Sequence, residues 1–218
     1  MVEVSKVSLT RNQVSHDSVI TQTNKEYIPI LEFEPNNNDM GLFIEKKSPP
    51  PEKPLWNKTA LTKDELKNAP SPIINIAGEK QKVSIVVDID NNKLYRYDDE
   101  GNLVDGYHVA TGVADKNGKS ITGRGVRFLD HKETYPYASA VGTKRARNPK
   151  AYGPRILYLD MVNSDTGKVS TSNGEFIHGN NNPKSIGTKA SHGCIRMDNE
   201  VIKKLAEEVP TKSYILFK

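Results

Sequence analysis

The stretch Lys82 to Gly112, KVSIVVDIDNNKLYRYDDEGNLVDGYHVATG, decides the fold of this chain. Val83, Ile85, Val87 and Ile89 alternate with Lys82, Ser84, Asp88 and Asp90, the period of two that buries one face of a strand. Asn91 and Asn92 supply turn chemistry before KLYRY, a second strand. The turn DDEGN, Asp98 to Asn102, leads into a third strand from Leu103 to Ala110, ending at Thr111-Gly112. Further strands are expected at Arg155 to Asp160, at Glu175 to His178 and in the C-terminal SYILFK. Short strands separated by turns at this spacing predict a mainly β domain, a β-sandwich or barrel-like form.

One C-terminal helix is expected beside those strands. Asp198 or Asn199 serves as N-cap, Val201, Ile202, Leu205 and Val209 share a face, Lys203, Lys204, Glu207 and Glu208 face water, and Pro210 ends the run. Between the strands, Val126 to Gly153 is basic and bears aromatics (Tyr135, Tyr137, Lys144, Arg145, Arg147, Lys150), with no clear period. It reads as a functional loop or lid.

Upstream the composition changes. Residues 1–78 are rich in Asn, Lys, Ser and Pro, with short apolar groups such as Ile28, Ile30, Leu31 and Phe33, and are expected to form a less regular, partly disordered N-terminal region. SPPPEKP, residues 48–54, lacks several backbone donors and reads as an extended spacer. In TKDEL, Thr62 and Glu65 have the spacing of a capping box, and Pro70 and Pro72 limit the helix to at most two turns. The expected organisation is thus an N-terminal region, 1–78, and a β domain, 79–218.

A chain of 218 residues accommodates one main core, and a formal charge of +4 with both signs spread along it favours solubility over nucleic-acid binding. No nucleic-acid motif accompanies the basic segment. The first twenty residues lack the apolar core of a secretory signal, and no run reaches membrane-spanning length. The expectation is a monomer with no transmembrane segment and no visible signal peptide.

Only one cysteine is present, in SHGCIRM, Ser191 to Met197, so no internal disulfide forms. A thiol attacks as thiolate, and its free pKa near ~8.5 calls for a neighbouring base. His178 in FIHGN and His192 in SHGC are the candidates, the latter two residues away and on the same side of an extended segment. Gly193 permits close backbone approach, and the N–H groups of Gly193 and Cys194 fit an oxyanion hole. A lone cysteine is also compatible with simple packing.

The segment FIHGNNNPKSIGTKASHGCIRMDNE resembles the signature of the L,D-transpeptidase catalytic domain, the YkuD-like family: His-Gly, a short loop, then Ser/Thr-His-Gly-Cys, an apolar residue and Arg or Asn. IVVDIDNNKLYRYDDEGNLVDGYHVATG is similar to the family's opening hairpin, so the resemblance covers Lys82 to Lys218. It implies that Cys194 is the nucleophile and His178 the general base, oriented by the carbonyl of Gly179. His192, Gly193, Gly179 and Ser191 would shape the pocket and oxyanion hole. Arg196 and Tyr158 would bind substrate, Arg196 through a carboxylate; the alternative for Arg196 is a salt bridge to Asp198 or Glu200. Where the family often carries Thr-Pro-Thr-Gly, this chain has SITG, Ser120 to Gly123.

The implied reaction is acyl transfer on peptidoglycan stem tetrapeptides in the periplasm or cell wall. A thioester forms, D-alanine leaves, and a neighbouring stem amine completes a 3→3 crosslink. Water as acceptor would make a carboxypeptidase, a protein lysine an anchoring enzyme; no metal or organic cofactor is implied. Two other readings of the residues stand beside it. One is a zinc hydrolase using His178, His192 and Cys194, with Glu175 nearby; the other is a cell-wall binding module with an idle site.

Overall fold

The computed structural model describes residues 58–138, 142 and 148–218. The spacer at 48–54, the apolar group around Ile28 to Phe33, and Lys144, Arg145 and Arg147 lie outside the described residues. The capping box at Thr62 forms as expected: Glu65 N–H donates to Thr62 Oγ1 at 3.3 Å, and Thr62 N–H to Glu65 Oε2 at 2.9 Å. It opens a single turn, α1 (Lys63–Leu66).

Among the described residues twelve strands follow: β1 (Ile73–Ile76), β2 (Glu79–Asp88), β3 (Lys93–Tyr97), β4 (Leu103–His108), β5 (Thr111–Gly112), β6 (Gly125–Thr134), β7 (Arg155–Val162), β8 (Val169–Ser170), β9 (Phe176–His178), β10 (Lys189–Ser191), β11 (Ile195–Arg196) and β12 (Tyr214–Phe217). Ten make one mixed sheet in the order β11-β9-β7-β6-β12-β2-β3-β4, with β1 on β2 and β8 on β7; β5 and β10 form a separate pair. The β12–β2, β11–β9 and β10–β5 contacts are parallel and the others antiparallel. The described residues are therefore mainly β with one principal helix, α2 (Asn199–Glu208).

Alternation in β2 to β4 was legible, but β2 is buried on both faces. Ile85, Val87 and Ile89 join the main core with Leu129, Leu157, Ile177, Ile215 and the helix residues Val201, Ile202 and Leu205. Val83 and Val86 face a second cluster with Leu61, Tyr95 and Tyr97, covered by Leu66 and Ile74. That second layer comes from residues before position 78: β1 pairs with β2, and Leu61 N–H donates to Gly106 O at 2.9 Å. Central strands with both faces covered give continuous apolar runs, hence Ile85-Val86-Val87.

Helix α2 follows the expected pattern. Asp198 caps it, accepting from Glu200 and Val201 N–H at 2.8 and 3.3 Å. Its far end is held by Lys132 of β6, whose Nζ donates to the carbonyls of Ala206 and Val209, each at 2.6 Å. A cation there meets the negative end of the helix dipole.

The reading of Val126 to Gly153 as a loop is corrected over its first part: β6 runs through Thr134 and pairs along most of β7. Two features hide it. Arg127 occupies a fully buried position, and a register shift between Leu129 and His131 breaks the alternation. Farther on, Pro149–Tyr152 forms one 3₁₀ turn. No helix among the described residues is long and apolar enough to cross a membrane.

Candidate functional site

The buried strand β9 delivers His178 between two neighbours: Ile156 of β7 on one side and Arg196 of β11 on the other. Its ring is almost wholly buried and donates from Nδ1 to the carbonyl of Gly179 at 2.5 Å, which leaves the lone pair of the neutral tautomer on Nε2. Burial is the largest influence on this imidazole and pulls its pKa down to about 4. The Arg196 charge pushes the same way, while the Gly179 and Tyr152 backbones oppose it. The ring is therefore neutral at neutral pH and able to accept a proton.

Only glycine fits after His178. A Cβ on Gly179 would stand 2.4 Å from Asn199 Oδ1 and 2.8 Å from Pro154 Cδ. That same Asn199 oxygen accepts from Asn180 N–H at 2.8 Å, so the first residue of α2 clamps the His-Gly-Asn segment.

Cys194 sits at the end of the loop between β10 and β11, half-buried, its Sγ 3.8 Å from the Gly174 carbonyl oxygen. Ser191 braces the loop from within: its Oγ donates to Cys194 O at 2.6 Å and accepts from Gly193 N–H at 3.0 Å. This corrects the expectation that the Gly193 amide points at an oxyanion, because that N–H is already engaged by the serine. The adjoining amide, that of Cys194, belongs to the same peptide unit as the Gly193 carbonyl, which Thr122 Oγ1 holds at 2.8 Å.

Cys194, His178, His192 and Arg196 line one cavity of about 220 Å³, together with Tyr152, Ala151 and Asn148. His192 is exposed and lines the same cavity as Cys194. Arg196 makes no ion pair with Asp198 or Glu200. Asp198 caps α2, Glu200 pairs with Lys203 at 2.7 Å, and among the described residues the guanidinium has one weak hydrogen bond, to Ala190 O at 3.3 Å.

Tyr158 does not reach the cavity, correcting its expected contact with substrate. It is buried, its hydroxyl donating to Glu133 Oε2 at 2.8 Å and its ring stacked on His131 at 4.2 Å. Tyr152 lines the cavity, its ring centroid 4.8 Å from that of His178.

Three residues have supporting roles that sequence reasoning missed, although Glu175 itself was named there. Arg127 and Glu175 form a buried pair at 2.9 Å, and Glu175 also accepts from Gly123 N–H at 2.7 Å. Glu175 begins the approach to β9 and lies beneath Gly193. Thr122 bonds the Gly193 carbonyl across the chain. The engagement of Glu175 also removes it as a zinc ligand, and among the described residues no three His, Cys, Asp or Glu side chains gather as a metal site requires.

A thiol and a buried neutral imidazole opening into one cavity on a mixed β sheet define a cysteine–histidine site. Residues 82–215 match the family model of the L,D-transpeptidase catalytic domain, YkuD, and the chain belongs to that family. It is 59% identical over 104 residues to the Bacillus licheniformis protein YkuD, a candidate L,D-transpeptidase, covering 42% of this chain and 58% of that one. It is 30% identical over 116 residues to the candidate L,D-transpeptidase YqjB of Bacillus subtilis, covering 53% and 60%. The chain thus spans about six-tenths of the length of these curated relatives. Among solved structures it is similar to the catalytic domain of an Enterococcus faecium L,D-transpeptidase, with 21% identity, a TM-score of 0.40, and coverage of 63% of this chain and 97% of that one.

Proposed function

We propose that this protein is a cysteine-dependent L,D-transpeptidase acting on peptidoglycan stem tetrapeptides at the cell wall. The observation that carries the reading is the shared cavity of Cys194 and His178, with the imidazole held neutral and its Nδ1 tied to Gly179.

In the acylation step, His178 Nε2 takes the thiol proton and Cys194 sulfur bonds to the carbonyl carbon of the third stem residue. The carbonyl π pair moves to oxygen, where the Cys194 N–H stabilises it. Collapse restores the carbonyl and breaks the C–N bond. The imidazolium returns its proton to the departing D-alanine amine, leaving a thioester. An acceptor amine then attacks the thioester, loses a proton to His178, and displaces the thiolate. A stem side-chain amine gives a 3→3 crosslink, water gives a carboxypeptidase, and a protein lysine gives anchoring. The chemistry needs no metal or organic cofactor.

Arg196, with no carboxylate partner of its own among the described residues, holds a carboxylate of the stem peptide in this reading. Incubation with disaccharide tetrapeptide, followed by chromatography and mass spectrometry of the products, tests the assignment. A crosslinked dimer lacking one D-alanine supports transpeptidation, and a tripeptide alone supports the carboxypeptidase. An unchanged substrate contradicts both.

A further inference from the structure

The peptide unit joining Gly193 to Cys194 is fixed from outside its own loop. Thr122, buried in the connection between β5 and β6, accepts from Gly112 N–H at 2.7 Å and donates to the Gly193 carbonyl at 2.8 Å. The direction of each bond is forced: an amide N–H can only donate, a carbonyl can only accept, and the hydroxyl has one proton to give. Gly112 and Gly193 are both buried, so water does not compete for either group.

The threonine is itself held rigidly. Thr122 N–H donates to Ser120 Oγ at 3.2 Å, and Ser120 Oγ donates to the Gly112 carbonyl at 2.8 Å. On its other side, Gly123 N–H is anchored on Glu175. A Cβ on Gly112 would stand 2.7 Å from the Thr122 nitrogen, so the two segments touch backbone to backbone.

A trans peptide is planar, with its C=O and N–H pointing in opposite directions. Holding the Gly193 oxygen on Thr122 therefore sets the direction of the Cys194 N–H. The preceding amide, that of Gly193, is engaged by Ser191.

We propose that Thr122 is a positioning residue for the oxyanion: by anchoring the Gly193 carbonyl, it aims the Cys194 N–H at the charge that develops during acylation. The inference rests on the acyl-transfer reading above. Thr122 touches neither substrate nor sulfur and acts only through the shared peptide.

The test separates two reactions of the same thiol. Acylation by disaccharide tetrapeptide passes through an oxyanion, whereas alkylation by iodoacetamide is displacement at a saturated carbon and does not. Thr122→Val keeps the side-chain volume and removes the hydroxyl. It is expected to slow acylation, followed by intact-protein mass, at least about tenfold, while alkylation stays within about twofold of wild type. Thr122→Ser restores most of the acylation rate. If Thr122→Val does not fold, Thr122→Ala is carried through the same pair of reactions. Acylation at the wild-type rate overturns the proposal. So does an equal loss of both reactions, which would assign the hydroxyl to the fold alone. A wild-type protein that is alkylated but never acylated brings down the acyl-transfer reading itself, and this inference with it.

Discussion

Arg196 stands in register with His178 across the parallel contact of β11 with β9, and both side chains line the same cavity. In-register neighbours project to the same face, so a donor seated near the imidazole meets the guanidinium as well. Replacing Arg196 by Gln is expected to raise KM for a tetrapeptide bearing a free carboxylate by about tenfold or more, the worth of a charge-assisted hydrogen bond. Steady-state kinetics on the donor check this, with Arg196→Lys retaining part of the affinity.

The buried His178 makes stability depend on pH. Its pKa in the folded chain, about 4, lies below the ordinary value of 6.5, so the unfolded state binds more protons between those limits. Stability therefore falls as pH drops from 6.5 towards 4, by up to about 3 kcal/mol. Urea unfolding across this range should show that slope in the wild type and a flatter one in His178→Gln.

The pair Arg127–Glu175 sits beneath the cysteine loop with the arginine side chain 1% exposed. Glu175→Ala leaves a buried cation uncompensated and is expected to cost about 3 kcal/mol or more. The double variant Arg127→Leu, Glu175→Leu should recover much of that loss. Denaturant midpoints of the single and double variants provide the comparison.

Gly179→Ala would force its new methyl against Asn199 Oδ1 and Pro154. A loss of about 1 to 3 kcal/mol is expected from overpacking, together with a displaced His178 and reduced turnover. Thermal unfolding and product formation, measured on the same sample, check both effects.

The sequence exposed those parts of the site whose chemistry is local. His178-Gly179 and Ser191 to Cys194 carry their residue types in short order, and β2, β3 and β4 carry apolar alternation broken by Asn and Gly turns. What stayed hidden depends on long-range contacts. Thr122 lies 71 positions from the Gly193 it bonds, and Arg127 reads as a solvent charge until Glu175 is placed beside it. The same buried arginine, with the register shift after Leu129, conceals β6. Tyr158 was misassigned because its strand was legible and its facing was not: its hydroxyl turns to Glu133 and leaves the cavity wall to Tyr152. The Gly193 amide was expected to bind substrate oxygen, but it donates its hydrogen bond to the hydroxyl of the serine two residues before it.

The central claim is that Cys194 becomes acylated with His178 as its base. The most direct measurement is the intact mass of the protein after incubation with disaccharide tetrapeptide, for wild type, Cys194→Ala and His178→Ala. The account predicts a gain equal to the donor minus D-alanine in the wild type, none in Cys194→Ala, and a slowed gain in His178→Ala. A wild-type protein that never gains this mass, or a Cys194→Ala variant that gains it equally, would contradict the account.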